Sequence, residues 1–297
     1  MSAPRVFDRP LLRRRRRRAE ALGAATFLID RVAADLAERL SAVLRRFAFA
    51  ADLGSPTDAV RRTLAGRVDT LVAVDPAPGR GRARGGLRVV ADEEALPFAD
   101  ASLDLVVSAL ALQSVNDLPG TLVQVRRALK PDGYFLAALL GGETLTELRQ
   151  SFAAAEADLE GGVSPRVAPF IDARDGGALL QRAGFALPVA DVDRATVRYA
   201  SAFGLMDDLR RMGATNPLVE RRRTPLRRAT LMRMAETYAA RFADADGRVR
   251  ASFDIVWLSG WAPHPSQQQP LKPGSAQTRL ADALGTREIP SGEKPER

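Results

Sequence analysis

Short apolar runs that close on an acid, set between helical or looped connections, constrain this chain most. Residues 47–52 end on Asp52, residues 68–75 on Asp75 and residues 87–92 on Asp92; two further apolar runs, 103–108 and 134–140, follow. Runs this short and apolar on both faces read as buried strands rather than as alternating surface strands. The connections between several of them have helical periodicity or helix caps, as at Asn116-Asp117 ahead of residues 118–130. Strands alternating with helical connections give an α/β chain with a doubly wound parallel sheet.

Composition enters mainly through what it forbids. The 297 residues include no cysteine and one histidine, His264. Disulfides, zinc–thiolate sites, a cysteine nucleophile and the two-histidine, one-carboxylate iron triad are all excluded. No apolar run approaches the ~18 residues of a membrane-spanning helix. Net charge is +8, and only Lys130, Lys272 and Lys294 among the 44 basic residues are lysine. Six arginines in a row, Arg13 to Arg18, are expected to form the basic solvated face of a first helix, with an anionic partner or membrane surface as the functional alternative. A second helix is expected over residues 25–46, where Leu28, Val32, Leu36 and Leu40 recur at helical steps. The organisation expected is a basic helical segment (1–46), a ligand-binding core (47–200), a helical insertion with a last strand (201–284) and a disordered tail (285–297).

After the fifth strand, helices are expected over 143–160 and 175–183, strand-like runs over 186–192 and 196–199, and a helix opened by Thr224-Pro225. A last strand is expected over 254–260. Asp244-Ala-Asp-Gly247 has the opening of a calcium loop but lacks its closing acid, so a turn is expected. The clusters Arg210-Arg211, Arg221–Arg223 and Arg227-Arg228 could hold an acidic protein or RNA; with 6% aromatic residues and none interleaved, a base-stacking surface is not expected.

Doubly wound sheets bind ligands at the carboxyl ends of their strands. Asp52, Asp75, Asp92 and Glu93 fall there. An acid ending the second strand suits a ribose diol, because one carboxylate accepts from both hydroxyls. An acid after the third suits an adenine amino group. Gly54 permits close backbone approach, and Ser108 ends the fourth strand. The set points to an adenosine-containing ligand; the alternative is that these acids only cap helices.

The stretches Ala91-Asp-Glu-Glu-Ala-Leu-Pro-Phe98, Leu129-Lys-Pro-Asp-Gly133, Gly141-Gly-Glu-Thr-Leu145 and Gly260-Trp-Ala-Pro-His-Pro-Ser-Gln267 resemble the class I S-adenosylmethionine-dependent methyltransferases. More narrowly, they resemble the family of the mitochondrial complex I assembly factor 5 and its alphaproteobacterial relatives. The resemblance implies a Rossmann-like seven-stranded fold with N-terminal helices and a C-terminal α+β extension, and S-adenosylmethionine as cofactor. It also implies a protein partner, a respiratory complex I subunit, with no nucleic acid expected. The implied location is the bacterial cytoplasm, or the matrix side of mitochondria in a eukaryote.

Methyl transfer is an in-line displacement that positioning can drive without an obligatory base; if one is used, Glu143 is the expected residue. Asn116, Trp261 and His264 are the residues expected to meet the acceptor. The chain departs from the family's glycine-rich first loop: Asp52-Leu-Gly-Ser-Pro-Thr-Asp58 carries Pro56 and Asp58 where glycines are usual. Pro56 loses an N–H, and Asp58 brings a negative charge toward the place of the cofactor's carboxylate. A non-catalytic assembly protein with a degenerate loop is therefore the alternative reading. The segment 76–86 also looks too irregular for a covering helix.

Overall fold

A computed structural model describes residues 5–76, 87–268, 275 and 278–287. The chain divides into two compact units, Met1–Pro263 and His264–Arg297. In the first, a seven-stranded sheet has the order β3-β2-β1-β4-β5-β7-β6. The strands are β1 (Phe47–Leu53), β2 (Val68–Val74), β3 (Leu87–Val89), β4 (Leu103–Ala109), β5 (Leu129–Leu140), β6 (Ala186–Tyr199) and β7 (Val249–Trp261). β1 to β5 run parallel, and β7 enters antiparallel between β5 and β6. This is the expected Rossmann-like architecture.

Helices cover both faces. On one lie α2 (Phe27–Ser41), α5 (Thr146–Glu160), α7 (Ala202–Arg211) and α8 (Arg228–Phe242); on the other lie α4 (Leu118–Ala128) and α6 (Ala173–Arg182). Leu36, Phe152, Leu205 and Tyr238 pack over Leu105, Leu136 and Trp257 on the first face. Leu122, Val125 and Leu180 pack over Val106, Phe135 and Leu258 on the second. Each fully buried leucine contributes about 1.5–3 kcal/mol relative to exposure, which is why the short central runs carry no surface-facing alternation.

Several boundaries move. The runs 186–192 and 196–199 belong to one strand, because β7 pairs along it without a break from Val189 to Tyr199, with a register shift between Ala186 and Val189. α8 begins at Arg228 rather than at Thr224, whose hydroxyl accepts from Arg222 Nε at 2.7 Å instead of capping a helix. The third strand is only three residues long. Asp244–Gly247 is a turn between α8 and β7, with Arg198 paired to Asp244 and Asp246. Residues 77–86 and most of the tail lie outside the described residues.

The arginine run does form a helix, α1 (Arg9–Ala21), capped by Asp8, whose carboxylate accepts from the Leu11 amide at 3.0 Å. It is not simply a solvated face. Arg16 is buried, Arg13 and Arg15 are half-buried and turned to the protein, and Arg14, Arg17 and Arg18 are exposed. α1 closes on the turn after α7 at Gly213, where φ is +70° and an added Cβ would lie 2.8 Å from the Arg16 Cα. No helix of the described residues is long and apolar enough to cross a membrane.

Candidate functional site

The parallel strands β1, β2 and β3 place their carboxyl ends side by side. Asp52 pairs with Ala73 in register. The Gly54 amide donates to the Val74 carbonyl at 2.8 Å, and the Asp75 amide donates to the Val89 carbonyl at 3.1 Å. These two bonds carry the ladder one step past the strands and fix Asp52, Gly54 and Asp75 along one edge. Gly54 has φ +69°, a left-handed value that glycine adopts at little cost. Ser108, fully buried, donates to the Leu53 carbonyl at 2.7 Å, and the Ala109 amide donates to Ser55 Oγ at 3.1 Å. β4 thus holds the β1 loop from the other side, and Ser108 acts from beneath it.

Asp52 is 5% exposed, and burial pushes its carboxyl up from 3.8 to about 7, against the lowering effect of the Ser55 hydroxyl donating to it. A carboxylate in that state favours an incoming cation. Asp75 is likewise buried at the end of β2.

The acids after β3 are held by α1. Arg9 bridges Asp92 (2.7 Å), Glu93 and Glu94, and Arg13 reaches Asp92 at 2.5 Å. Glu93 is 2% exposed and its carboxylate lies directly over Gly54. Asp92 remains partly open, with the Glu94 amide donating to its Oδ1 at 3.0 Å. The side chain of Asn116 accepts from the Val6 and Phe7 amides at 2.9 and 2.8 Å, so it tethers the segment leading into α1.

Pro56 and Thr57 stand in the wall of a cavity of about 360 Å³ beside this edge. Asp58 is exposed, paired with Arg62, and sits at the start of the short helix α3 (Ala59–Thr63). Gln113, in the turn after β4, donates from Nε2 to the Leu110 carbonyl at 2.9 Å, while its buried Oε1 has no hydrogen-bond partner among the described residues. A buried acceptor without a protein donor fits a ligand that brings a donor, such as an ammonium group. Neither the arginine cover nor Gln113's orphaned oxygen was visible in local sequence pattern.

The remaining expected residues lie apart from this group. Glu143 is exposed beyond β5, where its charge acts on Arg194. Trp261 pairs with Tyr134 at the opposite edge of the sheet, ring centroids 4.4 Å apart, with Arg45 over its face. His264 opens the second unit, its Nδ1 2.6 Å from Ser266 Oγ. Of the other basic clusters, Arg221 pairs with Asp8, and Arg222 and Arg227 pair with Glu160. Among the described residues no group of three histidine or acidic side chains could hold a metal ion.

A methyltransferase domain model matches residues 51–137. The zebrafish (Danio rerio) mitochondrial arginine-hydroxylase NDUFAF5 is 38% identical over 286 residues, covering 93% of this chain and 89% of that protein. Its human counterpart is also 38% identical, covering 91% of this chain and 81% of that one. A malonyl-[acyl-carrier protein] O-methyltransferase of Gallionella capsiferriformans is 35% identical, covering 88% of this chain and 93% of that protein. Among solved structures, a proposed methyltransferase of Bacillus halodurans has the same fold at a TM-score of 0.55 and 17% identity, covering 77% of this chain and 99% of that one.

Proposed function

This chain belongs to the class I S-adenosylmethionine-dependent methyltransferases and is related to NDUFAF5; from that premise we propose that it binds S-adenosylmethionine along the β1–β4 edge and modifies or helps assemble a subunit of respiratory complex I. The observation that supports this most is the lateral pair of bonds from Gly54 and Asp75, which align a buried acid, a left-handed glycine and a second acid on neighbouring strand ends. In this reading the Asp75 carboxylate accepts from the ribose hydroxyls and the remaining acceptor capacity of Asp92 takes the adenine amino group. Asp52 and the orphaned Gln113 Oε1 face the cationic methionine end. Ser108 and Ser55 hold that loop in place. When bound, the cofactor supplies a methyl group on a positively charged sulfur, open to in-line attack. The chain's own part is positioning and exclusion of water; Glu143 as a base would have to turn away from Arg194.

The relatives are named for two activities, arginine hydroxylation and O-methylation. Methyl transfer asks nothing of this chain beyond the residues just named. The charge that Asp58 brings to the loop is directed outward and offset by Arg62, which supports a loop that still admits the cofactor. The second reading, an assembly protein without turnover, draws on Pro56 and on the arginines already seated on the acids after β3. The proposed place of action is the bacterial cytoplasm, or the matrix side of mitochondria in a eukaryote.

Calorimetric titration with S-adenosylmethionine and S-adenosylhomocysteine separates the two. Micromolar binding, weakened about 100-fold or more in Asp75→Ala through loss of charge-assisted hydrogen bonds to the diol, is the expected result. Folded protein that gives no heat at millimolar ligand would leave the assembly reading alone.

A further inference from the structure

The cavity beside the cofactor edge has a composition unlike that edge. Its walls are mostly apolar, drawn from α1, α2, α5 and α7 and from the loops after β1, β4 and β5. Two wall residues, Leu110 and Leu145, are held at φ 52° and 55°, a left-handed conformation that costs an L side chain about 1–2 kcal/mol. At about 360 Å³ the space falls at the small end of the roughly 300–1,000 Å³ range of small-molecule sites. Of the charged side chains lining it, seven are arginines and only Glu20 is acidic.

Most of those arginines are matched. Arg166 is held by Glu156, Arg222 by Glu160, Arg221 by Asp8, and Arg211 lies 3.7 Å from Asp208. Arg15 is different. Its Nη1 donates to the carbonyls of Thr215 (2.8 Å) and Asn216, and it makes no ion pair among the described residues. Burial and the nearby charge of Arg221 disfavour its protonated form, partly offset by the charge of Asp8, which itself pairs with Arg221. A half-buried guanidinium aligned by two carbonyls, and in no ion pair among the described residues, keeps the capacity to take a charged acceptor.

We propose that this cavity binds an apolar chain bearing a single anionic end, a carboxylate of the medium-chain fatty-acid type, with the chain among Leu148, Phe152, Met206 and Leu209 and the carboxylate on Arg15. This goes beyond the cofactor reading and does not depend on it. It also sets the cavity against a cationic occupant, which would meet Arg15 and find only Glu20 as an acid on the lining. Because Pro56, Thr57 and Gln113 belong to the same walls, the ligand would lie beside the cofactor edge.

The test is titration of the full chain, without cofactor, with decanoate, decanol and decyltrimethylammonium, all below their micelle concentrations. Decanoate should bind about tenfold or more tightly than decanol, the value of a hydrogen-bonded charge pair, and the cationic amphiphile should bind weakest. Arg15→Gln should remove the preference for decanoate over decanol, Arg15→Lys should restore part of it, and Met206→Trp should weaken all chain ligands by filling the space. Equal affinity for decanoate and decanol, a preference unchanged in Arg15→Gln, or decanoate binding that survives Met206→Trp would each overturn the proposal. Tightest binding of the cationic amphiphile would do the same. If Arg15→Gln does not fold, the wild-type ranking together with Met206→Trp decides. S-adenosylhomocysteine binding, measured on the same samples, reports separately on the cofactor reading.

Discussion

The two flanks of α1 meet opposite surroundings. Toward β3, Arg9 and Arg13 meet three consecutive acids, and the result is a dense ion-pair cover over the Gly54 turn. Toward α7, Arg15 meets two carbonyls and an apolar cavity. The residue type is the same and the positions are a turn or two apart. What an arginine does here is decided by what the facing element supplies: a carboxylate turns it into structure, and its absence leaves a site for an anion.

The largest expected effect comes from breaking the acidic flank. Arg9→Ala would leave Glu93, 2% exposed over the glycine turn, without its cation. Stability should fall by about 3–5 kcal/mol, the usual cost of a buried charge stripped of its partner. Arg9→Ala combined with Glu93→Gln should recover a good part of it, and chemical denaturation reads both. A double variant as unstable as Arg9→Ala alone would show that the ion pair is not what the arginine contributes.

Next comes the pH dependence that Asp52 imposes. Its carboxyl is raised by burial from 3.8 to about 7 in the folded protein, so the folded state holds that proton more tightly than the unfolded chain. Its contribution is therefore full below about pH 4 and is lost as pH rises toward 7, after which it changes no further. The loss is on the order of a few kcal/mol. Asp52→Asn should flatten the decline between pH 5 and 7 in thermal melts of the ligand-free protein, while weakening cofactor binding. A wild-type profile already flat across that window would contradict the buried-acid account.

The smallest effects sharpen the contrast within the arginine run itself. Arg13→Ala removes a half-exposed pair to Asp92 and should cost about 1 kcal/mol or less. Arg17→Ala and Arg18→Ala, on the exposed side, should stay within about 0.5 kcal/mol. A larger loss at Arg17 or Arg18 than at Arg13 would reverse the inward and outward assignment of the helix.

Much of the edge proposed for the cofactor was legible because it depends on strand ends. Asp52, Asp75 and Asp92 close apolar runs, and a parallel sheet brings such ends to one edge whatever the connections do. Trp261 and Asn116 were less legible. Trp261 ends a strand too, but β7 runs antiparallel, so its end falls at the opposite edge, against Tyr134. Asn116 precedes a helix as expected, yet its side chain is engaged by backbone 109 and 110 residues earlier in the chain. Thr224-Pro225 has the local form of a helix start, and Arg222 claims its hydroxyl instead.

By itself the sequence determined the alternation of buried strands and covering helices, and hence the carboxyl edge with its acids. That information is periodic and local, and each residue's preference agrees with its neighbours'. Only the tertiary structure decided which arginines of the run pair with acids, that Glu93 turns inward over Gly54, and that a cavity opens beside Pro56 with Arg15 lacking an acid. Those outcomes rest on contacts between residues far apart in the chain, the arginine contacts 79 to 201 positions apart, and no periodicity in α1 records which element will face each of its sides.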